Sequence, residues 1–358
     1  LKKEGNRSKL IAPLLNLGNV YSAQGKFGEA IDYWKRALRH ANAVGNVNEQ
    51  AQILNNLGIA EYSQGHYETA LENYNKSLTL FTELQHPQGI ILCTSNLGEI
   101  FLIQCLYEKA IMDWKKCLSF YEGIKDLQGL IETHNHLCQA YMAVGDSSAA
   151  QSHYQQAGQF LEQEGIEIQQ GIHYYCAGIL NFMEQQYDRA EENIRKAEAI
   201  FTTIGEHAFC CRTRLYRSRI IRAHHRFEEI RPALTEAIEI AEKYNLPLLQ
   251  AEGLCELGRQ TREHPLTQDK PTISYFRDAF NLIEKEIISE ISWQVSFELG
   301  KEYIGRGLVS KGKAILHKSK AVLEYLGDQY TEDPLKASFW SSHGRSECLE
   351  EIKLLLSH

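Results

Sequence analysis

The 358-residue chain predicts an all-α protein, a stacked array of about eight helix-turn-helix repeats. Three observations carry that prediction. The triplet Asn-Leu-Gly stands at Asn16-Leu17-Gly18, Asn56-Leu57-Gly58 and Asn96-Leu97-Gly98, a period of forty residues. A small residue keeps the same period at Ala30, Ala70, Ala110, Ala150 and Ala190, where two helices must approach closely. Only 7 prolines interrupt the chain, and a content of 43% apolar and 23% charged residues excludes disorder and collagen-like structure. The length therefore measures the number of stacked repeats rather than the two or three globular domains that roughly 150 residues per domain would give.

Taken in order, the period continues through His136-Leu137-Cys138, Cys176-Ala177-Gly178, Tyr216-Arg217-Ser218, Glu256-Leu257-Gly258 and, slipped by two, Glu298-Leu299-Gly300. A second small residue recurs at Ala37, Ser77, Cys117, Ala157, Ala197 and Ala237, and aromatics recur at Phe27, Tyr67, Tyr107, Tyr187 and Phe227 and at Trp34, Tyr74, Trp114 and Tyr154. Each repeat reads as two amphipathic helices. Gly25, Gly65 and Gly145 mark turns within repeats, and Gly45, Gly165 and Gly205 mark turns between them. Neither helix pair buries its apolar face alone, so neighbours supply the core. In repeat seven, Pro265 and Pro271 break the pattern and predict an irregular loop over residues 263–272. The array is expected to span 1–334. Residues 335–358 are expected to cap it, with a helix over Glu347–Leu356, because the last repeat would otherwise leave an apolar face wet.

Leu17-Gly18, Tyr21, Ala30, Trp34 and Ala37 reproduce the Leu-Gly, Tyr, Ala, aromatic and Ala landmarks of the tetratricopeptide repeat, and the chain resembles that family over nearly its whole length. Its forty-residue unit is longer than the usual 34 and is similar to the arrays of spindle-orientation adaptors, MalT-like regulators and many bacterial signalling proteins. The resemblance implies a right-handed superhelix, an α-solenoid, with the first helix of each repeat lining a concave groove. The segment Glu332-Asp333-Pro334-Leu335-Lys336-Ala337-Ser338-Phe339 looks like those closing repeat arrays in bacterial multidomain proteins. That implies a sensor or scaffold part of a larger signalling or defence protein, covalently linked to an effector domain.

Chemistry of the catalytic kind is not expected. The nine cysteines contain no C-x-x-C pair and read as small core residues of a reduced, cytoplasmic protein. Gly307 to Lys313 imitates a phosphate loop, but Ala314 replaces the magnesium-holding hydroxyl and the motif sits between two helices. His134 and His136 point about 200° apart on a helix and do not converge on a metal. No cofactor and no metal is expected. No apolar run reaches membrane-spanning length, and the start at Leu1 with Lys2-Lys3 reads as a fragment without a secretion signal.

Binding residues are easier to find. Before the Leu-Gly pair stand Asn16, Asn56, Asn96 and His136, with Asn19 three residues beyond the first. An asparagine amide donates and accepts, as an extended peptide backbone does, so these five residues are candidates for a peptide-binding ladder. The same amides would serve equally to bond the backbone of a neighbouring repeat. A chaperone-type carboxylate clamp is not expected, since Leu15 and Leu92 occupy matching positions. From His207 to Arg231 lie seven arginines against Glu228 and Glu229, a local +5 in a chain of net charge -8. Arg212, Tyr216, Arg219 and Arg222 share one helix face and are candidates to bind an anion. The alternative is pairing of the arginines with acids on adjoining helices, such as Glu191, Glu192 and Glu198. An isoelectric point near 6.0 argues against a nucleic-acid partner, leaving contact through the basic sixth repeat as a minor alternative. The expected function is a non-catalytic protein-protein interaction module binding an extended peptide or protein segment, with an acidic determinant on the arginines. A receptor for a small signalling peptide or an anionic small ligand is the alternative.

Overall fold

The structure, a computed structural model, describes residues 2–163, 165–266, 270–284, 286 and 288–357, with side chains from residue 7 onward. Its helices pair as the forty-residue ruler requires. Repeats one to four are α1 (Lys2–Ala23) with α2 (Phe27–Val44), α3 (Val47–Ser63) with α4 (Tyr67–Glu83), α5 (Pro87–Ile103) with α6 (Tyr107–Ile124), and α7 (Leu127–Val144) with α8 (Ser147–Leu161). Repeats five to eight are α9 (Glu167–Met183) with α10 (Tyr187–Ile204), α11 (His207–Ala223) with α12 (Phe227–Lys243), α13 (Pro247–Glu263) with α14 (Thr272–Ile283), and α15 (Glu290–Gly305) with α16 (Val309–Gly327). Two more helices follow, α17 (Asp333–Ser341) and α18 (Arg345–Ser357). No strand occurs among the described residues. The chain divides into two compact units, Leu1–Ile100 and Phe101–His358.

Why the helices stop where they do is visible in the backbone. A residue with positive φ recurs every twenty positions, at Gly25, Gly45, Gly65, Gln85, Cys105, Lys125 and Gly145 and again at Gln185, Gly205, His225 and Asn245. Each lets the following N–H turn back onto a carbonyl five residues earlier, as in Asn46 to Ala41 (3.0 Å), His66 to Glu61 (2.8 Å) and Leu246 to Ala241 (2.8 Å). That geometry satisfies carbonyls that a helix end leaves without partners. Glycine adopts it without steric cost, whereas Gln85, Cys105, Lys125, Gln185, His225 and Asn245 do so against an intrinsic penalty of about 1 kcal/mol or more. The turns marked by glycine in the sequence are thus about half of a regular series.

The Leu-Gly landmark has a packing cause. A Cβ on Gly18 would lie 2.3 Å from the Trp34 indole, and one on Gly58 would lie 2.4 Å from the Tyr74 ring. Glycine on the first helix therefore makes room for the aromatic of the second. In the N-terminal unit Trp34, only 2% exposed, joins Ile11, Leu14, Ala30, Ile53 and Leu57 in one core cluster. In the C-terminal unit the small residues Ala233, Ala237 and Ala241 of α12 pack with Leu215, Ile230 and Leu234. The loop expected over 263–272 falls between α13 and α14, and its residues 267–269 lie outside the described residues.

The C-terminal helices do more than cover the last repeat. Tyr330 donates its hydroxyl to the Cys105 carbonyl (3.1 Å), and Thr331 donates its backbone N–H (2.7 Å) and its hydroxyl to the Glu108 carboxylate. Ser342 donates to the Val144 carbonyl at 3.1 Å. Within the C-terminal unit, the stack beginning with α6 and α7 therefore returns on itself through residues 330–345. A cap covering repeat eight alone is too simple a picture. These contacts join positions about two hundred apart in the chain, where no periodicity exists to announce them.

Candidate functional site

The asparagines of the N-terminal unit lie on the first helices of their repeats and join one repeat to the next. Asn56 donates its amide to Asn19 Oδ1 (3.3 Å), which also accepts from the Trp34 indole (3.2 Å). Asn96 donates to Asn55 Oδ1 at 2.9 Å. Asn16 is exposed on α1, and Asn56 and Asn96 are half-buried. Around them Leu17, Val20, Ile59 and Leu92 are also exposed, at 42%, 53%, 37% and 42%. Spacings of three or four residues put Val20 beside Asn16, Ile59 beside Asn56, and Leu92 beside Asn96, with Leu17 beside Val20. The face is mixed polar and apolar.

His136, in the C-terminal unit, is buried instead. Its ring stacks on Trp114 with centroids 4.8 Å apart, and burial pushes its pKa down. The neighbouring Asn135 takes the inter-repeat role, donating to Gln169 Oε1 at 2.9 Å. Asn55 and Asn135 were not singled out by the sequence reading. They stand eighty residues apart, two repeats, each immediately before one that was.

The arginines of α11 meet carboxylates on both sides. Arg214 and Arg217 reach Glu198 of the preceding repeat at 3.1 and 2.9 Å, and Arg226, just before α12, reaches Glu191 at 2.6 Å. Arg219 reaches Glu252 of the following repeat at 2.8 Å, and Arg222 reaches Glu256 (3.4 Å) and Glu263 (3.0 Å). The series continues with Arg259 on Glu256 and Glu298, both at 2.8 Å, and Arg262 on Glu298 at 2.7 Å. Burial alone would push Glu256 upward, but Arg259, Arg219 and Arg222 hold it below the usual carboxylate range. Glu298 is held down in the same way by Arg259 and Arg262 against its burial. The local excess of positive charge in the sequence is thus largely compensated from adjoining repeats. Glu191 and Glu198 are among the acids the sequence offers as partners; Glu252, Glu256 and Glu263 lie one repeat onward.

Three of the four candidate anion binders nevertheless face a common space. Arg212, Tyr216 and Arg219 line a cavity of about 300 Å³ in the C-terminal unit, together with Tyr175, Glu252 and Glu290. Leu248 and Leu249 supply apolar wall. Arg222 lies outside this lining, held by its two glutamates. The Tyr216 ring lies beneath the Arg219 guanidinium at 5.6 Å, and burial pushes the Tyr175 hydroxyl up to about 12. At ordinary pH both tyrosines are neutral hydrogen-bonding groups. A pocket carrying two arginines, two glutamates and phenolic hydroxyls on apolar walls is complementary to a small molecule bearing both signs of charge. Its size is at the small end of ligand sites.

The sequence's imitation of a phosphate loop has a structural explanation. Gly307 is the positive-φ residue of the α15–α16 turn, and Lys313 donates to the Leu356 carbonyl at 3.1 Å. Among the described residues no helix is long and apolar enough to cross a membrane.

The fold is that of an all-α helical-repeat protein. Residues 10–83 match the tetratricopeptide repeat family, and the rest of the chain continues as all-α helix pairs of the same kind. No curated protein matches the sequence. Among solved structures, the chain is similar to a Rap protein complexed with competence and sporulation factor, at 12% identity over 99% of both chains and a TM-score of 0.55. It is also similar to the apo form of the quorum sensor NprR from B. thuringiensis, at 15% identity over 77% of each chain and a TM-score of 0.56. A third likeness is to a signal transduction ATPase with numerous domains from Pyrococcus horikoshii that has a tetratricopeptide repeat sensor, at 16% identity and a TM-score of 0.54. It covers 94% of this chain but only 52% of that one, so the chain spans about half of that protein. At these identities the likeness shows a shared fold.

Proposed function

We propose that this array is a non-catalytic interaction module whose C-terminal unit receives a short peptide or peptide-like segment in the cavity lined by Arg212, Tyr216, Arg219, Glu252 and Glu290. The observation that carries the reading is the coexistence of two arginines and two glutamates on one small, partly apolar cavity. A peptide terminus or a charged side chain supplies complementary groups for both. The carboxylate belongs beside Arg212 and Arg219, with a cationic group toward Glu290. The neighbours lend support, since the Rap structure holds competence and sporulation factor and NprR is a quorum sensor. In the N-terminal unit, Asn16, Asn19, Asn56 and Asn96 with Leu17, Val20, Ile59 and Leu92 offer an extended segment both hydrogen bonds and apolar contact. His136, stacked and buried, has no place in that role. The likeness to a repeat sensor within a multidomain ATPase supports a linked effector domain in a longer parent; a cytoplasmic setting is part of the same proposal.

Selection of short peptides on the immobilised chain, followed by calorimetry, tests this. Arg212→Gln should weaken the selected peptide at least tenfold, with Asn56→Ala plus Asn96→Ala weakening longer peptides only. If every selected peptide binds Arg212→Gln as tightly as the unaltered chain, the cavity is not the site.

A further inference from the structure

One side of the cavity is built by a segment from the far end of the same unit. Arg345, the first residue of α18, is 1% exposed and makes five hydrogen bonds. It grips Glu290 through both oxygens (3.1 and 3.0 Å) and donates to the carbonyls of Ala143 (3.0 Å) and Phe339 (3.0 Å) and to the Ser342 hydroxyl (2.8 Å). Its guanidinium lies over the rings of Phe339 (4.2 Å) and Tyr107 (5.7 Å). Glu290, 28% exposed, is the only member of this pair that lines the cavity.

The seam is polar in a particular way. Ala143 and Val144 end α7, and their carbonyls are among those a helix leaves without partners within itself. Arg345 and Ser342 satisfy them, with the arginine charge at the negative end of the helix dipole. Together with Tyr330 on the Cys105 carbonyl and Thr331 on Glu108, these are contacts that water can replace if the segment leaves, whereas Phe339, Leu335 and Ile352 of the same segment are buried and add an apolar hold.

We propose that residues 330–357 are an intramolecular clasp, closed by Arg345 on Glu290, and that a guanidinium or ammonium group entering the cavity takes Glu290 from Arg345 and releases the segment. The second half rests on the cavity being the ligand site; the first half does not. In the closed state the buried charge of Arg345 has one carboxylate. A competing cation arriving from the cavity side meets that same carboxylate without having to displace the carbonyl contacts first. Release then leaves Arg345 buried beside carbonyls alone, an arrangement that buried charge does not tolerate, so the whole segment moves out. A linked domain following α18 would sense cavity occupancy through this motion.

Two readouts on the full chain separate the clasp from a general loss of stability. Hydrogen exchange follows the amides of α17 and α18, and N-ethylmaleimide labelling under native conditions follows Cys105, which lines the cavity beside Glu290. Cys211 and Cys255, both fully buried elsewhere in the unit, serve as internal references. Glu290→Gln should speed exchange in α17–α18 and labelling of Cys105 at least tenfold and leave Cys211 and Cys255 unchanged. Unaltered exchange in α17–α18, or equal acceleration of all three cysteines, overturns the clasp. L-Argininamide, titrated as a probe, should speed α17–α18 exchange in the unaltered chain and not further in Glu290→Gln. No response, or the same response in both, overturns displacement by a cation. Clasp release by Glu290→Gln with no peptide bound by the unaltered chain would refute the proposed function alone, and peptide binding to the unaltered chain with α17–α18 unmoved would refute ligand-driven release alone.

Discussion

In the N-terminal unit, successive first helices are joined by neutral amides, Asn19 with Asn56 and Asn55 with Asn96. In the C-terminal unit, after Asn135 and Gln169, the same interval of the chain is bridged by charge: Arg219 with Glu252, Arg222 with Glu256, Arg259 with Glu298. The partners are 33 to 41 residues apart in every case. One repeat geometry thus accepts two chemistries, and they differ in what failure costs. An amide that loses its partner turns to water or to a neighbour. A buried guanidinium that loses its carboxylate keeps its charge in a place that penalises it.

The largest consequence should follow from Glu298→Ala, which removes two charge-assisted hydrogen bonds and leaves Arg259 with Glu256 alone and Arg262 with Glu302 at 4.0 Å. A loss of roughly 3–5 kcal/mol is expected. Urea unfolding measures the total, and hydrogen exchange should show lost protection in α13–α16 with α1–α4 unaffected. A loss below about 1 kcal/mol would show that the charged series is no costlier to break than the amide series.

Acid comes next. Burial holds the rings of His134 and His173 down at about 4, His134 also being opposed by His153, whose Nδ1 lies 2.9 Å away. Their ordinary value is about 6.5. Between those limits the unfolded chain takes up protons that the fold excludes, so their contribution is complete above about pH 6.5 and is lost as pH falls toward 4, on the order of 3 kcal/mol per ring. Glu256 and Glu298, depressed in the fold, contribute above the ordinary carboxylate range and extend the loss as pH falls through their lowered values. Thermal melts from pH 7.5 to 4.5 should therefore fall steadily in the C-terminal unit. A flat Tm would contradict the burial of these rings.

A smaller effect is expected from Asn55→Ala. Asn55 is 2% exposed and accepts from Asn96 and from the Cys93 thiol (3.7 Å), so a cost of about 1–2 kcal/mol confined to the N-terminal unit is expected. Smallest of all, Lys76→Ala removes the exposed pair with Glu72 at 3.2 Å and should leave the unfolding midpoint unchanged.

The period of Gly18 and Gly58 with Trp34 and Tyr74 made the helix pairs legible, because a glycine facing an aromatic is a local, repeated demand. Half of the turns escaped notice because Gln85, Cys105, Lys125, Gln185, His225 and Asn245 take a conformation their side chains disfavour, which packing of the flanking helices imposes. Of the candidate site, Arg212, Tyr216 and Arg219 were found from charge and helix face, and the structure brings them to one cavity. Glu252 and Glu290 were not, since an acidic residue in an acidic chain carries no local signal. Arg345 was invisible for another reason: its partners are set by where the stack returns, not by any spacing along it.

The amide joint between Asn55 and Asn96 has one further implication. An asparagine is complementary to another asparagine, so a duplicated repeat of that kind fits beside its own copy at once. Arginine is complementary to glutamate and repels itself. Arrays of the first sort can lengthen by copying any such repeat, whereas those of the second lengthen only by copying one that, like α13, carries both a glutamate for the preceding repeat and an arginine for the next.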